Sequence, residues 1–320
     1  MNPVLPDEAA EFGAAATKAF SALGGVDAAR RAEEEPASRA GEVATAVRAL
    51  GVDDLDPRAD TDALAAAAAL CEAAGRVALP HPVPAVLLRD GAGRPFAVVP
   101  DRSARVDHGD LFPEWVVAPL AGPASLATPD APRLGTRLGP FVADLALGTR
   151  IHEGRTTANA TDLDVLHHST LTCFQLLGTA DRAVELAVDH VTTRIQFGKP
   201  ISTFQAVQFQ LADASVAVAG LRELAHFTLW RLAASPGEAL ADVLALRVHA
   251  LDVVRAVLRT SQQLHGAAGV CDEYDISVLT RMAQPALRLP WSAERTASEL
   301  AAAIQQDGFE GLFAHGRAAG

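Results

Sequence analysis

Apolar residues recur every three to four positions in three stretches near the start of the chain: AAEFGAAATKAFSAL, SRAGEVATAVRAL and TDALAAAAALCEAAGRVA. That spacing puts them on one face of a helix, so residues 7–80 are expected to form three or four short helices. Asp60, Thr61 and Asp62 are candidate caps for the third, because a short side-chain oxygen accepts from the free N–H groups of a first turn. From Leu79 to about Arg150 the pattern changes to short apolar runs, VPAVLLRD, PFAVVPD, EWVVAPL and VADLALG, separated by Gly, Pro and Asp. Such runs suit a small antiparallel β unit. Beyond Asp162 helical spacing returns over 162–193, 204–234 and 238–264, with breaks at FGKP and SPGE and a last helix opening near Ser292. Long helices joined by short loops lie antiparallel and pack as a bundle. The chain is therefore expected to be mainly α with a small β domain, divided into a helical part at 1–80, a β part at 81–160 and a helical bundle at 161–320.

Composition narrows the partners. With 320 residues, 49% of them hydrophobic, the chain can bury a sizeable core, and only 5% aromatic content fits helices better than sheets. A net charge of -12 argues against a nucleic-acid surface. Cys71, Cys173 and Cys271 are scattered and make no CxxC pair, which leaves neither a disulfide frame nor a zinc site and fits a reducing, cytoplasmic setting. The start, MNPVLPDEAAEF, lacks the basic and apolar regions of a signal peptide, and no apolar run reaches the length of a membrane span. His226 and His249 have no spaced carboxylate or cysteine partners, so no metal is expected, and Trp115, Trp230 and Trp291 read as packing residues.

The densest chemistry lies in RIQFGKPISTFQAVQFQLAD, residues 194–213. Arg194, Gln196, Phe197 and Gln205 gather a guanidinium, two amides and an aromatic ring near a helix N-terminus, the parts that hold a phosphate and an adjacent flat ring. The residues alone equally allow Arg194 to close the preceding helix, Phe197 to be core and Lys199 to face solvent. The stretch resembles the signature of the acyl-CoA dehydrogenase family, and Q263-L-H-G-A-A-G269 follows at the expected distance, similar to that family's Q-x-x-G-G-x-G. The resemblance runs over 162–305, and the helical–β–helical order is also the family's. It implies a flavoprotein: the residues matching Arg194, Gln196, Phe197 and Gln205 contact the pyrophosphate and adenine side of an FAD held mainly by a neighbouring subunit. Those matching Gln263 and Gly266 do so from another chain.

The chain departs from the family where the reaction needs a base. Desaturation removes a proton α to the thioester while a hydride leaves the β carbon for the flavin, and a carboxylate must lie near the α carbon. The two places where the family carries its Glu hold Pro290 and His168, and the Arg that accompanies the second is replaced by Ser169. Glu294 lies four residues past Pro290 but reads as a first-turn acid of a helix capped by Ser292, and the His167–His168 pair reads as a polar helix face. Thr-Glu-Pro, the following Gly-Ser and the later Trp-x-Thr that seat the flavin ring in the family are missing from residues 81–160, and the N-terminal helical part is shorter than usual. A subset of the family, bacterial enzymes acting on steroid side-chain thioesters, is built as α2β2 heterotetramers in which one subunit is shortened and lacks the Glu; LRLPWSAERTASELA is similar to its C-terminal pattern. The resemblance thus implies a subunit with no catalytic residue of its own, sharing FAD with a catalytic acyl-CoA dehydrogenase subunit and meeting acyl-CoA only through the complex. Two alternatives stay open. One is a degenerate acyl-thioester binder or scaffold without redox chemistry; the other is a homo-oligomeric dehydrogenase with a displaced base such as Glu294.

Overall fold

The computed structural model describes residues 5–100, 104–130, 138–151 and 158–307. The chain opens with four helices, α1 (Asp7–Ala22), α2 (Val26–Glu34), α3 (Glu42–Ala49) and α4 (Thr61–Arg76), then a single turn, α5 (Val83–Val86). Asp60 is the cap of α4, its Oδ1 accepting from the Ala63 N–H at 2.8 Å. Strands β1 (Phe96–Val98), β2 (Ala104–Asp107), β3 (Trp115–Ala118), β4 (Ser125–Pro129) and β5 (Val142–Arg150) follow. The rest is α6 (Ala158–Thr193), a hairpin of β6 (Ile195–Gln196) and β7 (Lys199–Pro200), then α7 (Gln205–Ala234), α8 (Leu240–His265), α9 (Asp275–Arg288) and α10 (Ala293–Asp307). The last part of the expected bundle, 308–320, lies outside the described residues.

Three local expectations need correction. VPAVLLRD begins with a helical turn and is no strand, because Pro84 has no N–H to give a ladder yet fits a first helical turn. The sheet is mixed: its order is β1-β3-β4-β5-β2, with β1 parallel to β3 (Phe96 opposite Val116) and the other pairs antiparallel. Local apolar runs carry no information on direction, and β2 leaves for the far edge between β1 and β3. The sequence pattern also passed over α2, which is short and charged, and α9, which has Pro285 inside it.

Both sheet faces are covered. Ala97, Trp115, Val117, Ala127 and Leu145 form one small core, while Phe96, Val98, Val116 and Ala118 pack with Val165 of α6 and with Trp291. Arg39, just before α3, reaches into the sheet region fully buried. It bonds Asp110 at 2.5 and 3.1 Å, lies 3.1 Å from His108 Nδ1, and places its guanidinium 4.2 Å from the Phe141 ring. A buried guanidinium needs such full compensation.

The central packing is α4 against α6. A Cβ on Gly75 would stand 1.8 Å from the Gln175 carbonyl oxygen, and one on Gly178 would stand 2.0 Å from that of Glu72. The two backbones touch, and only glycine permits it. Around the crossing, Arg222 bonds Glu72 at 2.8 Å and also Asp181, while Arg76 pairs with Glu185. Gly178→Ala is expected to cost at least ~3 kcal/mol in urea unfolding, because neither backbone can yield to the new methyl. Gly220→Ala, where a Cβ meets nothing within 4 Å inside α7, should stabilise by ~0.5–1 kcal/mol. Equal effects at the two sites would show that the crossing is not a close contact.

Candidate functional site

The last turn of α6 extends to Arg194, whose N–H bonds the His190 carbonyl at 2.8 Å. The β6–β7 hairpin follows, Ile195 opposite Pro200 and Gln196 opposite Lys199, and Phe197-Gly198 is its two-residue turn. Both turn residues have positive φ, +53° and +77°, the requirement of a hairpin turn matching the strand twist. Glycine meets this freely, whereas phenylalanine in the left-handed region costs about 1–2 kcal/mol. Phe197 recovers none of that by burial, being 91% exposed with one edge-on contact to Phe204 at 6.2 Å. It is not core. Lys199 lies in solvent on one side and 4.6 Å over the Phe204 ring on the other.

The Arg194 guanidinium is exposed and has no hydrogen-bond or ion-pair partner among the described residues, so it does not close α6. Gln196 and Gln205 are exposed too, and α7 begins at Gln205 with no side-chain cap on its first turn. A helix start without a side-chain cap and a guanidinium without a partner are each groups that favour an anion. Beneath this surface Ala187, Val191 and Leu264 form a small core with Ile201, Val207 and Leu211, which draws the end of α8 against the ends of α6 and α7. The His190 and His265 rings stack at 4.3 Å across that junction. Gln263 is exposed beside it, and Gly266 ends α8 at φ +63° with open space where a Cβ would be. Both signatures therefore meet in one chain. Gly269 serves packing instead: its Cβ would lie 2.4 Å from the Gln262 carbonyl oxygen.

The second region is a cavity of about 70 Å³, bounded by α5, β1, β2, α6, α8 and the end of α9. His168 and Pro290, far apart in sequence, both line it. The pair His167–His168 is not a polar face. His167 is buried with Nδ1 3.0 Å from the Leu163 carbonyl oxygen, and burial pushes its pKa down to about 4. His168 sets its ring edge-on to Phe96 at 6.1 Å, and burial, then Arg247, pushes its pKa down to about 3. Such an imidazole stays neutral at ordinary pH and is a feeble base. Glu294 lies exposed in the first turn of α10, away from the cavity, with its pKa lowered by the hydrogen bonds of that turn.

Two cavity residues escaped the sequence reading. Arg247 of α8 is one. The other is Asp107, at the end of β2, whose Oδ1 is buried without a partner while 33% of the side chain stays exposed. Burial outweighs the attraction of Arg39 and pushes its carboxyl up to about 7. An Asp closing a strand reads as a turn residue, so no local signal marks it. Trp230 also departs from expectation: Trp115 and Trp291 are buried, but Trp230 is 41% exposed. Among the described residues no His, Cys, Asp and Glu cluster could hold a metal, and no helix is long and apolar enough to cross a membrane.

Residues 160–288 match the family description "Acyl-CoA dehydrogenase, C-terminal domain". Over that stretch the chain is an acyl-CoA dehydrogenase C-terminal domain. It is similar to acyl-CoA dehydrogenase IpdE2 of Mycolicibacterium smegmatis, at 32% identity over 113 residues, 35% of this chain and 34% of the relative. The match thus spans about a third of that relative's length. The fold is that of the ChsE4-ChsE5 complex from Mycobacterium tuberculosis (TM-score 0.79, 17% identity, 96% of this chain and 99% of that one). It is also that of the Tcur3481-Tcur3483 steroid ACAD G363A variant (TM-score 0.74, 21% identity, 95% and 99%). A glutaryl-CoA dehydrogenase from Mycobacterium smegmatis in complex with FADH2 shares it as well (TM-score 0.69, 14% identity, 96% and 97%).

Arg194, the uncapped start of α7, the exposed Phe197 ring and the open backbone at Gly266 suit a diphosphate and an adenine. The cavity at His168 and Pro290 is well short of the ~300 Å³ or more that a cofactor ring or thioester occupies.

The raised Asp107 carboxyl makes a test by pH. A carboxyl that holds its proton better folded than unfolded, about 7 against 3.8, stabilises the fold at low pH and loses that contribution as pH rises through 7. Asp107→Asn should therefore raise Tm at pH 8 relative to the unaltered protein and leave it near unchanged at pH 4. A Tm difference that does not vary between the two pH values would place Asp107 in an ordinary solvated environment.

Proposed function

We propose that this chain is the non-catalytic subunit of a heteromeric, flavin-dependent acyl-CoA dehydrogenase, an enzyme that desaturates the α,β bond of an acyl-CoA thioester. The observation that carries this is the convergence of His168 and Pro290, the two positions where the family keeps its base, on one cavity of about 70 Å³. A neutral imidazole and a proline ring cannot take the α proton, and no thioester fits there. Arg194, Gln196, Phe197, Gln205, Gln263 and Gly266 would instead hold the diphosphate and adenine end of FAD, whose flavin ring accepts the hydride in the partner. In this role Arg194 pairs with a phosphate, the start of α7 offers N–H groups, and Phe197 stacks or shields the adenine.

A partner surface goes with it. Phe209 and Val216, 60% and 72% exposed, and Trp230 follow one another at 7 and 14 residues along α7, one face of a helix. Exposed apolar side chains on one helix face, here with the exposed Glu223 between Val216 and Trp230, suit a partner surface. The ChsE4-ChsE5 and Tcur3481-Tcur3483 structures are heteromeric, which supports a catalytic partner here; an α2β2 assembly is the expected form. Asp107 favours a second reading, a chain that uses its own displaced base, because it is a carboxylate of raised pKa on the same cavity.

Two experiments decide between them. In the complex with a Glu-bearing partner, Arg194→Ala removes a charge-assisted contact worth on the order of 1.5–3 kcal/mol, so flavin should be lost on gel filtration while the helical circular dichroism is retained. Unchanged flavin content would remove Arg194 from the site. In the same complex His168→Ala, Glu294→Gln and Asp107→Asn should each leave turnover within about tenfold, roughly 1.4 kcal/mol of barrier, whereas replacing the partner's Glu abolishes it. A thousandfold loss on the order of ~4 kcal/mol from any of the three, with flavin intact, would make this chain the catalytic one.

A further inference from the structure

The cavity has a chemistry of its own, independent of any partner. Arg247 is 1% exposed, and its Nη2 donates to the Leu289 carbonyl at 2.6 Å and the Trp291 carbonyl at 3.4 Å, which satisfies the end of α9. Its Nε is buried without any hydrogen-bond partner. No carboxylate among the described residues pairs with it, and the neighbouring Arg255 adds like charge. Carbonyl dipoles offset part of a guanidinium charge, but a buried cation is held at low cost only by a full counter-charge.

The other polar groups on the wall are also unengaged. Ser169 and Gln175 line the cavity, and neither side chain bonds a described residue. Thr172 is different, its hydroxyl donating to the His168 carbonyl at 2.7 Å. Arg105 points its guanidinium to Asp144 at 2.9 Å. His168 is neutral, and Asp107 borders the cavity from the strand side, half-protonated near neutral pH. The remaining wall is apolar, Pro84, Val98, Pro285 and Leu289 among it. Unengaged polar groups set among aliphatic walls suit an anion with a short apolar tail. About 70 Å³ is room for a few waters, each needing ~10–15 Å³ of cavity, or for a two- or three-carbon acid.

We infer that this cavity is a binding site for a small monocarboxylate such as acetate or propionate, its carboxylate on Arg247 Nε and the Ser169 hydroxyl and its methyl end against the prolines. Such a ligand supplies the counter-charge Arg247 lacks. Because Arg247 also holds the carbonyls between α9 and Trp291, occupancy would tighten the turn that carries Pro290.

Saturation-transfer NMR on the purified full chain, alone or in its complex, tests this with acetate as the probe. Acetate is expected to give a saturable signal that propionate competes away and that cyclohexanecarboxylate, too large for the cavity, does not. Arg247→Met should weaken acetate by at least ~10-fold, the loss of one charge-assisted hydrogen bond in a buried place. Ser169→Ala, which leaves the end of α9 untouched, should weaken it less but measurably. Three results would each overturn the site: no saturable signal from the unaltered protein, equal competition by the bulky acid, or a folded Arg247→Met or Ser169→Ala variant that keeps full acetate affinity. If Arg247→Met does not fold, the size series and Ser169→Ala still decide.

Discussion

The contact of two backbones, at Gly75 and Gly178, fixes the rest of the molecule. Helices usually keep 8–10 Å between axes because side chains separate them; here the side chains are gone and the main chains meet. That closeness has two effects. It brings the charged flanks within reach of each other, so Arg222, Arg76, Glu72, Asp181 and Glu185 form a half-buried network where looser packing would leave them solvated. It also sets the depth of α6 relative to the sheet, since Gln175 and His168 lie one and three turns before Gly178. The small cavity at His168 lies where α6 faces α5 and β1.

The sequence displayed the helices well and the sheet badly, for one physical reason. A helix buries residues repeating along its own chain, so α1, α4, α6, α7 and α8 announce themselves. A strand depends on neighbours remote in sequence. ARVD and SLATP have few apolar residues and half-open faces, so β2 and β4 stayed hidden, and nothing local could tell that β1 runs parallel to β3. Pro84 similarly decided VPAVLLRD by what it lacks, an N–H, and not by hydropathy.

The site was legible to an unequal degree. Arg194, Gln205, Gln263 and Gly266 could be picked out because their spacing is that of a known signature, and the structure brings their two motifs to one junction. Phe197 and Gln196 belong to the same signature, but the exposure of the Phe197 ring needed the structure, because aromatic residues are ordinarily buried and only the positive φ and the accessibility show otherwise. Asp107 and Arg247 could not have been found at all. Their chemistry comes from surroundings contributed by β2, α6, α8 and the end of α9, which a linear pattern does not describe. His167 and His168 misled for the same cause: imidazoles on a helix look solvated until the sheet is packed over them.

The Phe197-Gly198 turn has a kinetic side. A recognition loop that is floppy in isolation must be frozen when its target arrives, and each immobilised residue subtracts from the net affinity. This loop is shaped beforehand: its two strands are paired, Gly198 takes the positive φ the turn needs, and Phe204 meets the ring edge-on. Encounter with a ligand or a second chain then requires only docking, without a folding step at the surface, so association speed would be set by diffusion and charge and not by waiting for a rare loop shape.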